Sequence, residues 1–296
     1  MKSNPESLSA APDRAVPSPP KSLRVALTIA GFDPSSGAGV TADLKTFAAH
    51  GVYGVACISA LTVQSTRGVR SVRSVASRLI GETLDCLTED IAIDGVKIGM
   101  LRSGGVVAEV SRYLGDGGRH SASLGRERVV LDPVLRSSSG VRLLDPGGIR
   151  QMRGDLLARV GWITPNLMEL GDLAGLRAVG RSQVSGAARR LQEAAERLGN
   201  HELNVVVTGG HLDPPDDFLL TACGQEAWFE GERVATRSTH GTGCAFSSAL
   251  LCRLIAGDPP AEAVTAAKAY VAAALRAAYP IGAGHGPLNH LYPLVS

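Results

Sequence analysis

Residues 24–50 read RVALTIAGFDPSSGAGVTADLKTFAAH, and this stretch decides the fold. Residues 24–30 are a short apolar run that stops at Gly31, which suits a buried strand. Residues 31–39 (GFDPSSGAG) form a polar, glycine-rich turn, and residues 40–50 then read as a helix closed by Gly51. A buried strand, a glycine turn and a helix open an α/β unit.

The same alternation continues outward. Residues 52–61 are β-rich, 79–90 helical, and 95–101 (GVKIGML) a strand ending in a turn. Residues 106–114 read as a helix, 128–131 as a strand leading into Asp132-Pro133, and 162–164 as a strand leading into Pro165-Asn166. A helix follows from about Leu167, then an amphipathic one over 182–198 and a strand over 203–207 ending at Thr208-Gly209-Gly210. Residues 217–229 read as a hairpin turned at Cys223-Gly224-Gln225. The chain is helical from Gly243 to Ala256, and an alanine-rich helix runs over 260–278. Strands alternating with helices imply a mainly parallel sheet covered on both faces. No repeat and no second domain boundary is visible, so residues 23–296 read as one domain. Residues 1–22 are rich in Ser, Pro and Ala and lack the apolar core of a signal peptide; they read as a disordered tail.

Composition narrows the function. The chain has 296 residues, 44% hydrophobic and 20% charged, as in ordinary globular proteins. Thirty Lys+Arg against 28 Asp+Glu give a net charge of +2, which argues against a dedicated nucleic-acid binder. No uninterrupted apolar run reaches membrane-spanning length, so no membrane partner is expected. Five widely spaced cysteines without a CxxC argue against a disulfide framework or zinc site and for a reducing cytoplasm.

Gly31, Asp33, Gln64, Met100, Asp132, Asn166 and Gly209 all fall at or just past the carboxyl end of an expected strand, the edge where open α/β sheets bind ligands. The strongest motif is Thr239-His240-Gly241-Thr242-Gly243-Cys244, followed at once by an apolar helix. Its glycines allow a tight turn, and the free N–H groups of the helix start make an anion pocket, most plausibly for phosphate. Cys244 stands at that helix N-terminus, where a thiol's pKa is lowered, and can take a proton from a substrate hydroxyl. The alternative is a plain capping turn with a buried Cys244. Asp132, with Asn166 and Glu169 three residues apart on a helix face, suits Mg²⁺ held by one or two carboxylates, water and phosphate. The alternative is helix capping by Asn166 with Glu169 in the first turn. Residues 31–39 lack the GK[ST] ending of a phosphate loop. Asp33 and Asp43 can hold polar atoms of a small molecule, or Asp33 can close an Asx turn. Gln64 both donates and accepts, which suits a heterocycle carrying an amine beside a ring nitrogen; an exposed loop glutamine is the alternative. His211, His285 and His290 show no metal spacing and read as surface or capping residues.

At these residues the chain resembles the hydroxymethylpyrimidine and phosphomethylpyrimidine kinases of thiamine biosynthesis. The segments, in the family's order from about Leu23 to His290, are LTIAGFDPSSGAGVTADLKTFAAHGVYG, ISALTVQST, VKIGML, VVLDPV, ITPNLMEL, VVVTGGH, THGTGC and GHGPLNH. The resemblance implies a ribokinase-like three-layer sandwich. It also implies ATP-dependent phosphorylation, first of the aminopyrimidine's hydroxymethyl group and then of its monophosphate. By matching motif, Gly31, Asp43, Gln64 and Met100 would line the pyrimidine pocket. Gly241, Thr242 and Gly243 would form the anion hole, with Cys244 the catalytic base. Asp132, Asn166 and Glu169 would organise Mg²⁺ and phosphates, with Asp132 and Glu169 as the metal's carboxylates, and Thr208 and Gly209 would sit near the nucleotide. The family implies a homodimer. Three positions depart from its pattern. Ser138 and Thr208 stand where many members have lysine, with Arg136 near enough in sequence to replace one cation, and Phe32 replaces a small polar residue. Two other readings stay open: a pyridoxal or pyridoxine kinase on the same fold, and a pyrimidine-binding regulatory module without turnover.

Overall fold

The computed structural model describes residues 23–115, 124–137, 140–177 and 179–294. The tail reading of residues 1–22 and the departure at Ser138 lie outside them.

Six strands form the parallel centre: β2 (Tyr53–Ser65), β1 (Val25–Phe32), β4 (Gly95–Ile98), β5 (Val129–Leu131), β6 (Trp162–Ile163) and β7 (Asn204–Val207), side by side in that order. Antiparallel strands complete the nine-stranded sheet. β3 (Gly68–Ser74) flanks β2, and β8 (Asp217–Leu220) with β9 (Glu226–Phe229) extends β7.

Alternation along the strands explains the layers, because successive side chains point to opposite faces. Leu27, Ile29, Val96, Ile98, Val129, Leu131, Val205 and Val207 face one way. They pack against α2 (Ser77–Asp90), α3 (Gly104–Leu114), α4 (Pro146–Gly154), α5 (Leu167–Ala174) and α6 (Val184–Glu196). Ala26, Val130, Trp162 and Val206 face the other way. They pack against α1 (Gly39–Ala49), α7 (Thr242–Ala256) and α8 (Pro260–Arg276). The result is a three-layer α/β sandwich with a mostly parallel sheet, as the resemblance implies. Both faces are covered, so the central strands carry no solvated side and read as continuous apolar runs.

Two elements were not expected from sequence. β3, GVRSVRS, lacks a period-two apolar pattern because it is a solvated edge strand, and its arginines suit such an edge. α4 begins PGG, weak helix-forming residues, and is fixed instead by its cap. The Asp145 carboxylate accepts the Gly148 N–H at 2.6 Å, with Pro146 in the first turn. Among the described residues no helix is long and apolar enough to cross a membrane.

Candidate active site

The carboxyl ends of the parallel strands gather most of the expected residues on one rim. Gly31 and Gln64 are penultimate residues of β1 and β2, Asp33 follows β1, Met100 follows β4, Asp132 follows β5, and Asn166 and Gly209 follow β6 and β7. Two ladder irregularities shape this edge. The β1–β2 register slips between Ala30 and Gly31, and the β2–β3 register slips between Val63 and Gln64. Such bulges re-aim side chains. Met100, Ala60 and Leu143 form a small apolar cluster here. The Met100 methyl occupies the space a Cβ on Gly31 would need, so a larger residue there would push the Met100 side chain aside.

The glycine-rich loop after β1 is organised by Asp33. Its carboxylate accepts the Ser35 N–H at 2.8 Å, the Ser35 hydroxyl at 2.7 Å, the Gly37 N–H at 3.2 Å and the Ala38 N–H at 3.0 Å. It also meets His240 Nε2 at 2.7 Å. Burial opposes its charge, but hydrogen bonds from His240 and Ser35 hold the carboxyl below the usual range. Asp33 therefore spends its oxygens on the loop and on His240.

That loop delivers the start of α1 to the start of α7. Gly241 is left-handed (φ 87°), and a Cβ there would strike the backbone oxygen of Gly37. Neither helix start has a side-chain cap, at Ala38 or at Gly241. Two helix starts thus converge without side-chain caps, the arrangement that holds anions. Gly243 is open to solvent in the first turn of α7.

Cys244 lies between the two helix starts. Its sulfur accepts from the Gly39 N–H, and its thiol is hydrogen-bonded to Asp132. The expectation of a lowered thiol pKa is corrected here. Burial pushes the thiol up to about 12, and the Asp132 and Asp43 carboxylates add to the rise against the opposing pull of Lys97. The helix position does not outweigh desolvation beside two carboxylates.

Beneath Cys244 sits a dry ionic network. Lys97 Nζ donates to both Asp43 oxygens at 2.9 and 3.0 Å, and its distance to Asp132 Oδ2 is 3.8 Å. Asp43 also accepts the Thr28 hydroxyl at 2.6 Å and the Ser248 hydroxyl at 2.8 Å. Both Lys97 and Asp43 side chains are fully buried. Burial alone would discharge Lys97, but Asp43, Cys244 and Asp132 raise its pKa well above the ordinary lysine value. Asp43, expected to line the pyrimidine pocket, is fully buried, with Thr28, Lys97 and Ser248 as its partners.

Two further carboxyls stand between β5 and β6. Asp132 accepts the Ser247 hydroxyl at 3.3 Å, and burial raises its pKa despite Lys97. Glu169 closes a capping box: its Oε2 accepts the Asn166 N–H at 3.0 Å, while Asn166 Oδ1 accepts the N–H groups of Met168 and Glu169, each at 3.0 Å. Glu169 Oε1 also accepts the Leu135 N–H at 3.3 Å. Burial, then the nearby Asp132, lifts Glu169 to about 8. Asp132 is raised by burial with Asp43 nearby, and Glu169 by burial with Asp132 nearby; carboxyls so placed have the chemistry a divalent cation uses. Among the described residues no cluster of three metal-ligating side chains occurs, so an ion here would complete its shell with water and phosphate oxygens.

On the far side of the rim, Thr208 bridges to Asn166 and donates its N–H to Pro165 O at 2.9 Å. Gly209 packs against the Asp216 backbone too closely for a Cβ, and its N–H donates to Asp217 at 2.7 Å. Arg136 points to Asp172 on α5 (3.9 Å) and, with Arg142, lines a cavity of about 210 Å³. Phe32 is half-buried at the end of β1.

Sequence reasoning passed over Lys97, His240, Ser247 and Ser248. A lone lysine inside the buried run GVKIGM was the available signal, because a buried ammonium needs a partner. His290 also differs from expectation: it is buried, and desolvation lowers its pKa to about 4.

Comparison with known proteins agrees with this geometry. A family model described as phosphomethylpyrimidine kinase matches residues 33–289. The chain is 40% identical over 281 residues to the hydroxymethylpyrimidine/phosphomethylpyrimidine kinase of Rhizobium meliloti, covering 90% of this chain and 97% of that one. It is 37% identical to the thiamine biosynthesis bifunctional protein ThiED of Geobacter sulfurreducens, spanning 52% of that protein's length. Among solved structures, the phosphomethylpyrimidine kinase of Clostridium difficile superposes with a TM-score of 0.71 at 31% identity, over 85% of this chain and 99% of that one. An ADP complex of Bacillus subtilis pyridoxal kinase superposes with a TM-score of 0.78 at 29% identity, over 91% and 98%. On these matches the fold is ribokinase-like, and the chain belongs to the phosphomethylpyrimidine kinase family.

Proposed function

We propose that this protein transfers the γ-phosphoryl group of ATP to 4-amino-5-hydroxymethyl-2-methylpyrimidine and then to its monophosphate, supplying the diphosphate for thiamine biosynthesis. The observation that carries the reading is the meeting of two uncapped helix starts over Cys244, beside the Gly31–Met100–Gln64 corner. Phosphoryl transfer asks for alignment and charge neutralisation more than for covalent help. The first-turn amides of α1 and α7 supply fixed dipoles for the moving group. Asp132 and Glu169 would hold a Mg²⁺ ion, whose charge, when bound, offsets that of the phosphates. Cys244 receives the hydroxyl proton of the first substrate. Burial beside Asp132 and Asp43 favours the thiol over a resident thiolate, so Cys244 must release its own proton as it takes the substrate's. The thiol's own proton has an acceptor in place in Asp132. Thr208 and Gly209 lie on the nucleotide side of the rim. We place the enzyme in the cytoplasm as a homodimer.

The likeness to pyridoxal kinases, including that of Staphylococcus aureus in complex with ADP (TM-score 0.79, 28% identity), favours pyridoxal or pyridoxine as a second substrate class. ADP release with ATP and Mg²⁺ separates the readings when hydroxymethylpyrimidine, its monophosphate and pyridoxine are offered in parallel. Turnover of both pyrimidines, with pyridoxine much slower, is the expected result. Turnover of pyridoxine alone would reassign the pocket, and turnover of none would remove the kinase reading.

A further inference from the structure

Gln64 does not meet the pocket alone. Its side-chain Nε2 is placed 3.0 Å from His240 Nε2, and the same histidine nitrogen is 2.7 Å from Asp33 Oδ2. Asp33 is 3% exposed and accepts three backbone N–H groups and a hydroxyl besides. A carboxylate oxygen only accepts, so His240 Nε2 carries the hydrogen of that contact. A nitrogen that donates cannot also accept from an amide NH₂. The two ends of a glutamine amide are told apart only by such partners. With the side-chain nitrogen facing His240 two donors would oppose each other, so the amide is turned with Oε1 sharing the single Nε2 hydrogen with Asp33 Oδ2 and the NH₂ pointing away from His240.

The arrangement is built, not incidental. The β2–β3 register slips at Gln64 and re-aims its side chain. Gly37 lies so close to the His240 ring that a Cβ would strike it, which fixes the ring's plane. The His240 backbone N–H donates to Gly286 O at 3.0 Å, and a bridge to Pro287 holds its other side.

We infer that His240, held by Asp33, is a positioning residue that sets the donor–acceptor order Gln64 presents to the ring of the substrate. The NH₂ would donate to a ring nitrogen, and the second lone pair of Oε1 would accept from an adjacent exocyclic amine. A pyridine such as pyridoxine, whose hydroxyl stands beside a methyl-bearing carbon, offers the NH₂ no ring nitrogen, so His240 would discriminate aminopyrimidines from it. This inference rests on the pyrimidine reading above.

His240→Phe keeps a flat ring against Gly37 and removes the donor, and His240→Gln restores an NH₂ donor. Calorimetric binding of hydroxymethylpyrimidine and pyridoxine is read beside steady-state kinetics, with thermal unfolding confirming that each variant folds. In His240→Phe, aminopyrimidine binding should weaken and its KM rise about tenfold, the size of one lost hydrogen bond. Its kcat and the KM for ATP should change less than threefold, and pyridoxine binding less than twofold. His240→Gln should recover most of the loss. Equal weakening of both ligands, a loss confined to kcat, or no change at all would overturn the inference. If the wild-type protein binds the aminopyrimidine with the expected His240 dependence yet turns nothing over, the kinase reading fails while the positioning role stands. If the wild type binds no aminopyrimidine, both fall.

Discussion

Replacing Lys97 with methionine should destabilise the fold more than any surface change. The methionine fills nearly the same volume, so the loss is electrostatic. Lys97 Nζ reaches both Asp43 oxygens at 2.9 and 3.0 Å, and neither side chain touches solvent. Removing the ammonium strands the Asp43 carboxylate in the dry interior, and stranding one member of a buried pair costs about 3–5 kcal/mol. Hydroxyl donors from Thr28 and Ser248 remain on Asp43 and offset part of this, so the lower figure, about 3 kcal/mol, is expected. At about 2–4 °C per kcal/mol, the melting midpoint should fall by roughly 6–12 °C. Urea unfolding with linear extrapolation measures the loss directly.

The double variant Lys97→Met/Asp43→Leu removes both charges and should be more stable than Lys97→Met alone, because no unpaired ion is left. A double-mutant cycle then reads the coupling between the two positions. A Lys97→Met cost under about 1 kcal/mol, or single-variant costs that simply add, would refute the reasoning that Asp43 depends on Lys97 for its charge. Unfolding is the proper readout because Lys97 also lies beside Asp132 and Cys244, so activity would change for a second reason.

Three other outcomes follow from the geometry. Cys244→Ala should slow phosphorylation of the alcohol by about 10²–10⁴-fold, the range for a lost general base, and phosphorylation of the monophosphate by less than tenfold, because the attacking phosphate oxygen is already ionised; comparable losses in the two single-turnover rates would contradict the assignment. Gly241→Ala puts a Cβ against the Gly37 carbonyl at a left-handed residue, so the two helix starts must separate. Its kcat should fall by about 10²-fold with secondary structure by circular dichroism unchanged, and a variant with near-normal kcat would show that the two helix starts need not meet. His290 is pushed down to about 4 by burial, with Lys45 and His240 adding, so between pH 4 and 6.5 the unfolded chain binds a proton that the folded chain does not. Stability should therefore be full above pH 6.5 and fall by about 3 kcal/mol as the pH drops to 4, a slope in the urea midpoint that His290→Phe should flatten.

The parallel core was legible because buried strands declare themselves as apolar runs stopped by turn residues: TIAGFD, KIGM, VLDP and ITPN each end where a strand meets the rim. The rim followed from the same stops. What stayed hidden was fixed by partners distant in sequence. Asp43 and Lys97 are 54 residues apart, and Ser248 is 205 from Asp43, so no local pattern marks them as one network. The Asp33–His240 pair spans 207 residues. β3 escaped because an edge strand needs no apolar face, and α4 because its capping Asp145-Pro146 pair, not its helical residues, holds it. The Cys244 pKa was misjudged from helix position alone, since desolvation and two carboxylates are supplied by β5 and α1.

The charges of the site fit the proposed binding of a nucleotide that arrives with a cation. Lys97 is committed to Asp43 and only shared with Asp132 at 3.8 Å, while Glu169 is met by backbone amides alone. The deficit appears as raised pKa values: burial lifts Asp132, burial with Asp132 nearby lifts Glu169 to about 8, and burial with Asp132 and Asp43 lifts the Cys244 thiol. A few ångströms along the rim the excess is opposite, in the uncapped amides of α1 and α7. Phosphates alone would gain those amides but face the carboxylates; a divalent ion alone would gain the carboxylates but displace their protons. Bound together, each removes the other's cost. Glu169 would then ionise, and the ion's charge facing Asp132 would offset one of the two carboxylates that hold the Cys244 proton in place, Asp43 being already paired with Lys97. Of the two carboxylates that raise the thiol, Asp132 is therefore the one through which ligand binding would relieve it.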